Sequence, residues 1–156
     1  VWIPSKDTGI DLLITSADNS KTSSIQVKFS KDYLVTHVKT DYQKKLLSCG
    51  WWTLNKKKLQ RSHADLWVFV LFSFGQKDIH YVIIKPKELY KRLRLLHPNV
   101  KSLNTYLWVT KDKKCWETRG LKKQQLNSVV NGSYDYNQRN FTNFLDNWEP
   151  IRNKLI

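Results

Sequence analysis

The chain has no methionine, only five glycines, four prolines and two cysteines, and it is short of acid, with 13 Asp and Glu against 27 Lys and Arg. Each shortage excludes something. Cys49 and Cys115 form no CxxC pair and have no metal-ligand spacing, so they read as buried or free thiols of a reducing compartment. His37, His63, His80 and His97 are scattered, without the clustering of an HExxH or finger-type metal site. No apolar run approaches the length of a membrane span, and the longest, over residues 66–72, suits a buried strand. No signal peptide is visible, and a cytoplasmic location is the default expectation. The lack of Met and the early strand-like segment read as part of a longer polypeptide.

What is present is a foldable, strongly basic chain. Its 156 residues are 40% hydrophobic and 13% aromatic, enough for one domain with a real core. The formal net charge is +14 and the pI about 9.8. A globular domain carrying that charge repels itself, and a polyanionic partner is the usual reason to tolerate it. Nucleic acid leads on this ground, ahead of an anionic membrane surface.

The hydrophobic pattern alternates strands with helices. Residues 10–14 and 24–29 flank a polar stretch containing Asp18-Asn19-Ser20 and predict a β-hairpin. Leu34, Val35, Val38, Tyr42, Leu46 and Leu47 recur at near-helical spacing and predict a helix over 31–48, stopped by Gly50. Residues 51–58, from Trp51 to Lys58, read as an aromatic and basic loop. The unbroken apolar run over 64–72 predicts a central strand covered on both faces. A turn over 75–78, a strand over 80–84 and a short basic helix over 88–97 follow, and Pro98 stops that helix. Beyond it, 105–110 reads as a strand, 131–137 as a loop, and 141–156 as a terminal helix carrying Phe141, Phe144, Leu145 and Trp148. No repeat or linker divides the chain.

The informative residues lie in the hairpin. Side chains alternate across a strand, so Gln26 and Lys28 share one face while Ile25 and Val27 share the other. A polar pair framed by apolar residues is odd at the heart of a fold. With Asp11 presented on the same face by the neighbouring strand, three polar groups converge. Asp11 offers anionic oxygen to a hard cation such as Mg2+, Gln26 a neutral carbonyl oxygen, and Val27 its backbone carbonyl. Lys28 can orient or deprotonate an attacking water and stabilise charge on a phosphate.

Gly9-Ile10-Asp11 followed by Ile25-Gln26-Val27-Lys28 resembles the PD-(D/E)xK nuclease superfamily in its QxK variant, as in Mrr-like enzymes. The pattern of strand with Asp, hairpin, strand with (D/E/Q)xK, helix and two further strands is followed from about Pro4 to Glu88. The resemblance implies an α/β fold with a restriction endonuclease-like core, a mixed central β-sheet flanked by helices, over about residues 1–98. A C-terminal α/β extension would occupy about 99–156 of the same domain. It also implies Mg2+-dependent hydrolysis of double-stranded DNA by an endodeoxyribonuclease of restriction or repair type, with Mn2+ as a substitute metal and no nucleotide cofactor. Asp11, Gln26 and Lys28 are then the catalytic residues, and Asp11, Gln26 and Val27 the metal ligands. Gln26 stands where many members have an acid, and Asp7 or an acid before Val1 would have to supply another carboxylate.

Lys39, Lys44, Lys45, Lys56, Lys57 and Lys58 are candidates for backbone phosphate contacts, and Trp51 and Trp52 for packing in the core or against DNA. Arg119 and the Asn- and Gln-rich stretch 124–140 carry side chains suited to base edges. A double-strand cut needs two active sites, which a homodimer would supply, although no dimer face is evident. Two other readings compete: a nuclease-fold DNA-binding module that has lost catalysis, and a basic RNA-binding protein.

Overall fold

The computed structural model describes residues 1, 3, 9–100 and 102–156. Its hairpin forms where the sequence places it. Strands β1 (Leu12–Thr15) and β2 (Thr22–Phe29) pair antiparallel, with Leu12 opposite Ile25 and Thr15 opposite Thr22. Ser16, Asp18 and Ser20 knit the turn, and Asn19 takes its left-handed position at φ 59°.

The chain then departs from the expected helix. Only two short helical turns form, α1 (Leu34–His37) and α2 (Thr40–Gln43), separated by an extended Val38. Residues 46–54 are a strand, β3 (Leu46–Leu54), so the helix predicted over 31–48 and the loop predicted over 51–58 are both corrected. The reason is tertiary. β3 pairs antiparallel along its whole length with β6 (Leu103–Thr110), and that ladder outweighs local helical spacing. The spacing still reports burial, because Leu34, Val38, Tyr42 and Leu46 share one apolar cluster with Trp108 and Trp116.

Gly50, expected to cap a helix, instead sits mid-strand beneath the Trp52 ring. A Cβ there would lie 2.3 Å from the ring's Cη2. Trp52 is buried and stacks edge-on against Phe69, with centroids 4.9 Å apart, so the ring has nowhere to retreat. Gly50→Ala is therefore expected to destabilise the fold by about 1–3 kcal/mol, read as a lowered denaturation midpoint.

After β3 come α3 (Lys56–Gln60), β4 (Leu66–Ser73), β5 (Asp78–Ile84) and α4 (Pro86–Leu96). β4 runs parallel to β2 and antiparallel to β5, giving a mixed sheet in the order β1-β2-β4-β5. A second sheet, β3-β6-β7, is completed by β7 (Cys115–Glu117). The chain is thus a mixed α/β fold with helices flanking the mixed sheet. Trp67, Phe69 and Leu71 from the first sheet meet Trp52, Leu54, Leu107 and Val109 from the second in one core, over which α4 lays Leu89 and Leu93. Burial pushes the thiol of Cys49 up to about 12 and that of Cys115 higher still, so both are inert at neutral pH.

The last third differs again from expectation. The first part of the stretch assigned to base reading, 124–140, falls in a helix, α5 (Lys123–Val130). The terminal helix predicted over 141–156 is confined to α6 (Glu149–Leu155), preceded by a 3-10 turn over Thr142–Phe144. Pro150 explains the break, since a proline ring cannot follow a full helical turn without striking the carbonyl four residues back. Asp146 adopts φ 50°, and the Asn147 side chain accepts from the Glu149 N–H at 3.1 Å in the turn just before the new helix. α6 covers the far face of the first sheet, where Ile151 packs on Ile25, Leu66, Val68 and Ile83. Among the described residues no helix is long and apolar enough to cross a membrane.

Candidate active site

Register decides what β2 presents. Ile25 and Val27 face α6, while Gln26 and Lys28 stand beside Trp67 and Phe69, their partners in the parallel ladder, and face the second sheet. Asp65 fixes that register at the start of β4. Its carboxylate accepts from the Ser24 N–H at 2.8 Å and the Ser24 hydroxyl at 2.9 Å, and it pairs with Lys154 at 2.5 Å. Burial opposes ionisation of Asp65, but Lys154 and Ser24 outweigh it and hold the carboxyl below its ordinary range.

Asp11 immediately precedes β1, at its N-terminal end. Its N–H still bonds the Ile25 carbonyl at 2.8 Å, but beyond it the ladder is replaced by its side chain. Oδ2 accepts from the Val27 N–H at 2.6 Å and from Gln26 Nε2 at 2.5 Å. A strand residue sends its N–H and C=O to the same side, so the Val27 carbonyl also faces the space beyond the end of β1. Asp11, Gln26 and Val27 are therefore brought together as the spacing predicts. Gly9, at φ +80°, lies close over the amide: a Cβ there would stand 3.4 Å from Gln26 Oε1. Asp7 lies outside the described residues.

Lys28 joins this group without being neutralised by it. Among the described residues it forms no ion pair, with Asp11 or any other acid, and its Nζ stands 5.1 Å from the centre of the Trp67 ring. That ring is itself fixed, because its N–H donates to Ser62 Oγ at 2.9 Å. A π face attracts a cation without taking up its hydrogen bonds, which leaves the ammonium free to meet an oxyanion.

The group opens onto a cleft of about 840 Å³. Its other wall is the end of β3 with α3 and the segment after it, which contribute Trp52, Asn55, Lys57, Lys58, Arg61 and His63. Asn55 starts α3 by accepting from the Lys58 N–H at 3.0 Å. Among the described residues, Lys28, Lys57, Lys58 and Arg61 thus line the cleft with one carboxylate, that of Asp11. Such a surplus of cations in a concave site focuses a positive field on whatever enters it.

Among the described residues no three His, Cys, Asp or Glu side chains converge as a metal-ligand group. Among the described residues, the oxygen donors grouped here are the Asp11 carboxylate, the Gln26 amide oxygen and the Val27 carbonyl. That hard, sparse set fits Mg2+, which commonly uses one or two carboxylates and completes its shell with water and substrate phosphate. Gln26 turns its amide donor to Asp11 and so aims the carboxylate.

The other candidates divide. Trp52, Lys57 and Lys58 line the cleft, while Lys56 is half-buried at the start of α3. Trp51 lies on the opposite face of β3, packed against Tyr106 with centroids 5.3 Å apart. Lys39 and Lys45 line a separate concavity, and Lys44 is exposed. The Arg119 backbone is tied into a buried cluster, its N–H donating to Glu117 and its carbonyl accepting from Arg139, and the guanidinium Nη1 is buried. Sequence reasoning passed over Trp67 as the seat for Lys28. The signal was its place in a strand parallel to β2, visible only once the two are paired. Comparison with protein families finds no matching model, and comparisons with curated proteins and with solved structures find no match.

Proposed function

We propose that this chain is the core of a metal-dependent endodeoxyribonuclease of the PD-(D/E)xK class, of restriction type, acting on double-stranded DNA. The observation that carries the reading is the convergence of Asp11, Gln26 and Lys28 at the floor of a cation-lined cleft. The element order supports it too: a hairpin bearing the Asp and the QxK, then a crossover to a parallel central strand.

Asp11, Gln26 and the Val27 carbonyl would hold Mg2+, whose chemistry is to polarise the phosphodiester and acidify a bound water. The chain's own residues do the rest. Gln26 and the Val27 N–H fix the direction of the Asp11 carboxylate. Lys28 donates to the non-bridging phosphate oxygens and stabilises the charge that grows as water attacks phosphorus and the ester bond breaks. Lys57, Lys58 and Arg61 hold neighbouring phosphates and set the strand across the floor.

Reversing that wall, with K57E/K58E/R61E, is expected to weaken duplex binding at least about tenfold in low salt and to flatten its salt dependence. Equal affinity and equal slope would remove the wall from the account. One observation favours a second reading, a nuclease-fold DNA-binding module without catalysis: among the described residues the site has a single carboxylate. Nicking of supercoiled plasmid that needs Mg2+ and stops with EDTA supports the enzyme. Salt-sensitive binding with no cutting in either Mg2+ or Mn2+ supports the module.

A further inference from the structure

A second basic concavity lies at the other end of β3. Lys45 immediately precedes the strand and Leu54 ends it, and the strand is nine residues long. At about 3.3 Å per residue, this concavity stands roughly 25–30 Å from the cleft. It encloses about 350 Å³ between α2 and α5, and Lys39, Lys45 and Lys123 contribute to its lining together with Asp41, Asn127 and Asn131.

Its hydrogen bonds leave a set of donors. The Tyr42 hydroxyl donates to Asn127 Oδ1 at 2.7 Å, and Lys45 Nζ donates to Asn131 Oδ1 at 2.5 Å. Both amides thus have their oxygens engaged inside the protein, with their NH2 groups left to donate. Among the described residues none of the three lysines is paired with a carboxylate, and Asp41 is the single acid of the lining. Three like charges gathered in one hollow repel one another, and the repulsion is relieved when an anion with several oxygens enters. Phosphate matches best, since it carries more charge than a carboxylate and takes hydrogen bonds from several directions.

We propose that this concavity is a phosphate-binding site. The group it takes is a phosphate of a nucleic-acid backbone or an isolated one, as in a nucleotide or inorganic phosphate. The inference does not rest on the chemistry of Asp11 and holds even if the cleft does not cut.

The test is binding to the full chain in EDTA, by calorimetry, with inorganic phosphate, a nucleoside monophosphate and a short single-stranded oligonucleotide as separate probes. K39Q/K45Q/K123Q is expected to weaken at least one probe about tenfold or more, and to lower the salt slope of oligonucleotide binding by about 1, for one phosphate released. Loss for the oligonucleotide alone marks a backbone phosphate, whereas loss for the small probes as well marks a site that accepts isolated phosphate. Asp41→Asn, which removes the one acid of the described lining, is expected to tighten the same probes severalfold. A triple variant that binds every probe as the wild type does would overturn the proposal. So would an Asp41→Asn variant whose affinities are unchanged or lower, and that second arm holds even if the triple variant folds poorly.

Discussion

Replacing Asp11 by Asn is expected to lower Mg2+-dependent cleavage of duplex DNA by at least about a thousandfold, because it removes the one carboxylate that the described residues bring to the site. The substitution is chosen to spare the fold. The Asn oxygen still accepts from the Val27 N–H, so the junction where β1 gives way to a side chain keeps its hydrogen bond. Thermal stability should change little, and DNA affinity in EDTA should hold or rise slightly, since a negative charge leaves a cation-lined cleft. Initial rates, melting curves and binding isotherms on one preparation separate these effects. A variant that cuts within tenfold of wild type would place the chemistry elsewhere.

Lys28→Met should cost about a hundredfold to a thousandfold in kcat with little change in KM, the mark of an interaction made in the transition state. Met keeps an unbranched stem to lie along Trp67 and deletes only the ammonium. Lys28→Arg distinguishes two roles for the lysine. A guanidinium can stabilise charge on phosphate and can stack on the same ring, but it does not take part in proton transfer. The seat of Lys28 over a π face suits a held cation, so Arg is expected to recover at least about tenfold of what Met loses. An Arg variant as inactive as Met would instead make Lys28 the group that deprotonates the water.

The parts of this molecule that sequence made legible are those fixed by local pattern. Period-two alternation placed Gln26 and Lys28 on one face, polar turn residues closed the hairpin, and an unbroken apolar run marked β4 as central. The apolar spacing correctly marked Leu34, Val38, Tyr42 and Leu46 as buried, but it also included Val35, which is exposed, and it gave the wrong conformation. A side chain's burial is written in its own chemistry, whereas the pairing of β3 with β6 depends on residues far away in the chain, as in Leu46 opposite Thr110. The same holds at the site. Asp11 could be set against Gln26 from hairpin geometry, but the seat of Lys28 on Trp67 and the wall of Lys57, Lys58 and Arg61 needed the crossover to be folded. Basic runs read alike in sequence. Folding sorted Lys57 and Lys58 into the cleft and Lys39 and Lys45 into a second hollow, and it tied Arg119 to the Glu117 cluster.

The most direct measurement is the conversion of supercoiled plasmid by the wild-type chain and by Asp11→Asn, each in Mg2+ and in EDTA. Nicked or linear product is expected only from the wild type with Mg2+. Equal product from both proteins in Mg2+, or none from the wild type in Mg2+ and in Mn2+ despite tight binding, would contradict it.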